Sequence, residues 1–161
     1  QKVIEVFISG HKEFQQLINS LTPYQIANTH VLEYWTIRDI IAHLSAWNWE
    51  HAKEIDNILA DQPTWNNLYK ISTDEDLFNK KTVEERKNKN MQSIIEEWEN
   101  SFKNLIKRIE KLTVKEWSHE CIGQIWREGK PATMQSLFRY EEDGLSDEGR
   151  HAQQVKKFFN L

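Results

Sequence analysis

Asp147 and His151 stand four residues apart in Ser146-Asp147-Glu148-Gly149-Arg150-His151-Ala152-Gln153-Gln154-Val155. On a helix that spacing puts both side chains on one face. His43 falls in a second helical stretch far away in sequence, Trp35-Thr36-Ile37-Arg38-Asp39-Ile40-Ile41-Ala42-His43-Leu44-Ser45-Ala46-Trp47. Where two such helices face each other, two imidazoles and a carboxylate converge. That set suits a divalent ion and leaves coordination positions for water or substrate. An ion held there lowers the pKa of a bound water or thiol and supplies a nucleophile near neutral pH. Trp47 lies one turn beyond His43 and is placed to touch an apolar ligand. Glu148 is the nearest spare carboxylate for proton transfer.

Each of these residues also has a plainer reading. His43, between Ile40 and Trp47 on the edge of an apolar stripe, reads when taken alone as a core histidine bonded to a carbonyl or water. Asp147 and His151 alone read as a surface pair contributing about 0.3–0.5 kcal/mol. Against that, the face through Tyr140, Gly144, Asp147, His151 and Phe158 borders the core stripe. Gly144 either leaves space for a ligand or breaks the helix, since an interior glycine costs ~1 kcal/mol. Glu148-x-x-His151 has the spacing of carboxylate-bridged di-iron bundles, but a dinuclear centre is not expected. His51, two turns after His43, lines the same cavity or is a partly exposed helix histidine. His11, His30 and His119 have no partner pattern. Cys121 is isolated from any histidine at useful spacing, so a thiol nucleophile is not expected. Trp47, Trp49 and Trp65 could wall a pocket, although most tryptophans at helical spacing are core.

The elements that must position these residues are helices. Val3, Phe7, Phe14, Leu17 and Ile18 predict a first helix over Lys2 to Ser20, with Gly10 a weak point. Thr36 is a good N-cap with Asp39 three later, an acidic capping box, and Trp35 and Ile40 occupy the staple positions. The second helix then runs through Ile55, Ile58 and Leu59 and ends before Pro63. A polar connection is expected from Asp61 to Lys81. Thr82-Val83-Glu84-Glu85 reads as a capping box opening a third helix through Ile94, Trp98, Phe102, Leu105 and Ile109. A second connection covers 113 to 132, with a short hairpin around Gly129. Pro131 and Thr133 announce a fourth helix carrying Leu137, Phe138, Ala152 and Val155 inward. Leu21-Thr22-Pro23-Tyr24-Gln25-Ile26 weakly repeats as Leu112-Thr113-Val114-Lys115-Glu116-Trp117, either a pseudo-twofold of helix pairs or two copies of a helix-exit and cap signal. The sum is an all-α four-helix bundle with long crossover connections.

The 161 residues fit one domain, 1–161, large enough for a real core. Five glycines and three prolines are few for a chain of hairpins. Net charge is −4 with acid and base interspersed, and no basic stripe points to nucleic acid. No apolar run approaches the ~20 residues that span a membrane. A single cysteine rules out an internal disulfide and is compatible with the cytosol, the expected location. The chain starts at Gln1 rather than Met, which leaves a removed leader open.

The stretch Trp35 to Trp47, with its tryptophan, capping threonine and His-Leu-x-x-Trp, resembles the second-helix signature of the DinB-like four-helix bundle superfamily. Asp76-Leu77-Phe78-Asn79 followed by Val83-Glu84-Glu85-Arg86 resembles the ClbS/DfsB-like branch, a family of unknown function. Asp147 to Gln154 resembles the superfamily's closing element, in which two histidines four apart precede a glutamine. The resemblance spans nearly the whole chain through short, degenerate motifs. It implies a nickel or zinc site formed here by His43, Asp147 and His151, with Asp147 departing from the usual histidine. It implies a homodimer, and activities that include thiol transfer to electrophiles, metal-assisted hydrolysis and self-protection against a reactive toxin. The expected partner is a small molecule. Two other functions fit the same chain: a metal-free bundle that sequesters a small molecule, and a partner-binding bundle with no pocket.

Overall fold

The computed structural model describes residues 2–62, 72–122, 129–138 and 143–161. In chain order the elements are α1 (Lys2–Ser20), α2 (Pro23–Asn28), β1 (His30–Leu32), β2 (Trp35–Thr36), α3 (Ile37–Leu59), α4 (Ser72–Glu85), α5 (Met91–Glu110), α6 (Val114–Trp117), α7 (Met134–Phe138) and α8 (Asp147–Phe159). Helices α1, α3, α5 and α8 form the bundle; α3 packs most extensively on α5, and α1 on α8. The architecture is all-α apart from a short antiparallel pair, β1 with β2, which sets His30 opposite Thr36 just before α3.

Caps explain most of the boundaries. At α3 the box forms in full: Thr36 N and Oγ1 donate to Asp39 Oδ2 at 3.0 and 2.8 Å, and Asp39 N donates back to Thr36 Oγ1 at 3.2 Å. Thr22 with Gln25 and Thr113 with Glu116 make the same reciprocal box at α2 and α6. Both copies of the weak sequence repeat thus open a short capped helix.

Two expectations about the elements are corrected. Thr82 does not open a helix: it lies inside α4, where its hydroxyl donates to Asn79 O at 3.0 Å, and much of the expected connection from Asp61 to Lys81 is helix. The next helix, α5, starts at Met91 behind Asn90, whose Oδ1 accepts from Ser93 N at 2.8 Å. In that break Arg38 Nη2 donates to the carbonyls of Arg86, Lys87 and Lys89 at 3.0, 2.9 and 2.7 Å. The expected fourth helix is also divided. Gly144 adopts φ +73°, a left-handed conformation that suits glycine, and Ser146 caps a fresh helix by accepting from Gly149 N at 3.2 Å. Of the two readings of Gly144, the break is the one observed. Tyr140, Pro63, Trp65 and most of the segment expected to turn near Gly129 lie outside the described residues; at the base of that segment Cys121 N donates to Ala132 O at 3.0 Å.

The core is divided into two apolar clusters. One holds Val3, Phe7, Ala52, Ile55, Phe102 and Leu105; the other holds Phe14, Leu17, Leu44, Ile94, Trp98 and Ala152. Between them the four bundle helices share a layer of buried polar residues, His11 from α1, Asn48 from α3, Ser101 from α5 and Glu148 from α8. Buried polar groups must bond one another, so this layer fixes how the four helices stand in register. Gly10 tightens the same level. A Cβ there would come within 2.8 Å of Gly149 N and closer still to Ser146 Oγ, so α1 and α8 touch backbone to backbone.

Candidate metal and ligand site

Two of the three expected ligands meet. The rings of His43, on α3, and His151, on α8, approach edge to face with centroids 5.4 Å apart. His43 is buried, and its Nδ1 has no hydrogen-bond partner. Burial, reinforced by the neighbouring His151, drives the His43 pKa down to about 3, so the ring is neutral and able to ligate. Burial also lowers the pKa of His151, against the pull of Asp147 toward the charged form. His151 Nδ1 is paired with Gln154 Oε1 at 2.8 Å, which leaves Nε2 to face a ligand.

Asp147 lies at the start of α8, half-exposed, and its Oδ1 accepts from Arg150 Nη1 at 2.8 Å. Arg150 in turn grips Asp143 through Nε and Nη2 at 2.8 and 2.9 Å. Among the described residues no three of the His, Cys, Asp and Glu side chains are already gathered closely enough to hold an ion.

Glu148 has a different setting from the one its sequence position suggested. It is buried, and its carboxylate accepts from Trp98 Nε1 at 2.8 Å and Asn48 Nδ2 at 3.1 Å on one oxygen, and meets His11 Nδ1 at 2.6 Å on the other. With the carboxylate as acceptor, His11 Nδ1 is the donor of that pair. His11 stacks on Phe102 with centroids 3.7 Å apart, and its Nε2 lies 3.5 Å from Glu99. Glu116-x-x-His119 repeats the Glu148-x-x-His151 spacing, but Glu116 caps α6 and His119 pairs with Asp61 at 3.0 Å, so no second carboxylate–histidine arm reaches the bundle interior.

Aromatic side chains surround the histidine pair. Trp35 stands 4.8 Å from His43, ring to ring, and Trp47 stands 6.3 Å from it. Trp47 Nε1 donates to Asn79 Oδ1 at 2.8 Å, and its ring packs on Phe78 at 4.9 Å and on His51 at 5.6 Å. His51 is buried, not partly exposed. Trp49 is 41% exposed. The residues that sequence reasoning missed are Trp35 and Asn79. Trp35 carried only a staple role, and Asn79 bonds across 32 residues to another element, a pairing that no local pattern announces.

The four packed helices, with α3 entered through its Thr36 cap, place the chain among all-α bundles. Residues 7–155 match the family model of the DinB superfamily, and the chain belongs to that superfamily. No curated protein and no solved structure matched the chain.

Proposed function

We propose that this protein is a metal-dependent enzyme of the DinB superfamily acting on a small electrophilic or hydrolysable molecule. The observation that carries the reading is the approach of two neutral imidazoles, His43 and His151, one with an unpartnered buried nitrogen. Neutral imidazole is the ligating form, and an orphaned polar atom in a core asks for a partner. Asp147 completes the donor set by turning from Arg150, a half-exposed ion pair whose loss costs little. Two nitrogens and one oxygen fit zinc or nickel, with open positions for water or thiolate. When bound, the ion supplies a nucleophile at neutral pH. Gln154 holds His151 in orientation, Asn79 holds Trp47, and Trp35 and Trp47 shield the pair and present apolar surface to substrate.

A second reading, a metal-free bundle that sequesters small molecules, is favoured by one observation: Asp147 is engaged by Arg150 rather than turned to the histidines. Metal analysis after purification without a metal-affinity column separates the two. The first reading expects about one zinc or nickel per chain, lost in His43→Ala and weakened in Asp147→Ala. Full metal content in His43→Ala, or no uptake by the unsubstituted protein on titration, overturns it.

A further inference from the structure

A cavity of about 740 Å³ opens between the β1–β2 turn and α4, on the outer side of the histidine pair. Trp35 and Asn79 belong to both: they line the cavity and also contact the His43–Trp47 group. That volume lies in the range that encloses a drug-sized molecule.

We infer that this cavity binds an organic ammonium ion with an apolar, planar body. Leu32, Trp35 and Val83, all half-buried, give it an apolar wall. Tyr34, at the turn between the strands, lines the mouth while 77% exposed, so its ring is open to a ligand from solvent. Two adjacent electron-rich rings attract a cation over their faces. The charges lining the cavity favour the same sign: four carboxylates stand against two lysines. Glu84 is paired with Lys87 at 3.3 Å, and Asp39 is held in the α3 cap. Glu33 and Asp76 make no ion pair with any described residue, and Lys80 alone opposes them. Aromatic faces beside free carboxylates recognise an ammonium group and repel a carboxylate. A ligand seated here lies against Trp35 and Asn79, next to His43, whether or not a metal is bound.

The test uses chelator-treated full-length protein, so it stands apart from the metal reading. Binding of 1-naphthylmethylammonium, neutral 1-naphthalenemethanol and anionic 1-naphthoate is measured by calorimetry at low salt. The ammonium probe should bind about tenfold tighter than the neutral alcohol, with the anion weakest. The double variant Glu33→Gln, Asp76→Asn should bring the ammonium to the alcohol's affinity and leave the alcohol unchanged, because both side chains are exposed and the walls stay intact. Equal binding of all three probes, preference for the anion, no binding of any probe, or an unaltered ammonium affinity in the double variant each overturns the assignment.

Discussion

Removing the Glu148 carboxylate tests the claim that a polar layer fixes the bundle. In Glu148→Ala, Trp98 Nε1 and His11 Nδ1 lose their acceptor, and Asn48 keeps only a 3.3 Å contact with Ser101 Oγ. Trp98 is 1% exposed and His11 7%, so bulk water does not reach either donor. A buried donor left unsatisfied costs about 1–3 kcal/mol, so two cost roughly 2–6 kcal/mol. A water entering the polar cavity offsets part of this. The expected loss is therefore about 2–5 kcal/mol. Glu148→Gln keeps the volume and one acceptor oxygen for Trp98 and Asn48 but turns an N–H toward His11 Nδ1–H. Its loss should be about 1–3 kcal/mol, one unmet donor. Urea unfolding followed by tryptophan fluorescence reads both, with a shifted midpoint at constant slope. A loss below about 1 kcal/mol in Glu148→Ala refutes the reasoning. So does a glutamine variant as damaged as the alanine one, because the graded loss of acceptors is the argument.

Two other substitutions probe neighbouring claims. Gly10→Ala gains ~1 kcal/mol of helix propensity but drives its Cβ to 2.8 Å from Gly149 N, where backbone cannot yield. A net loss of about 1–3 kcal/mol is expected as a lower melting temperature, and an unchanged or higher one contradicts the close approach of α1 and α8. Glu97 is pushed up by burial, but bonds from Arg86 and Lys89 more than offset this and leave its pKa below the ordinary value. A depressed folded-state pKa adds stability that is present above the unfolded-state pKa and lost as pH falls through the folded-state value. Stability should therefore fall below about pH 4.5, and Glu97→Gln should flatten that acid limb; an acid limb as steep in the variant as in the parent counts against the Arg86–Glu97–Lys89 network.

What the sequence made legible was what is local. The cap at Thr36, the 3.6-residue stripes and the span of α1 follow from neighbours three or four residues away, and these came out as expected. Thr82 misled because a capping box and a mid-helix threonine followed by glutamates look alike; the carbonyls freed where α4 ends are met by Arg38, 48 residues away from Arg86. Gly144 carried two readings for the same reason: only its φ of +73° distinguishes a break from a space. The site was half legible. Face and stripe suggested that His43 and His151 could approach one another, but the β1–β2 turn that brings Trp35 against His43 is only a few residues of strand. His11 had no visible partner because Glu148 lies 137 residues away.

Asp147 and Glu148 show how the layer and the site depend on one another. Neighbours on a helix point about 100° apart, so only one of the two carboxylates can reach His11. Nothing in Asp147-Glu148-Gly149 says which. The choice is made by α1: Gly10 lets α8 approach until its backbone touches, and His11, one residue on, offers Nδ1 to whichever carboxylate arrives. Glu148 reaches it, which leaves Asp147 at the half-exposed rim beside Arg150. The same rotation carries His151, one turn beyond Asp147, to within 5.4 Å of His43 across the bundle. The buried carboxylate therefore acts on the candidate site without touching it: it sets the angle at which α8 presents its histidine.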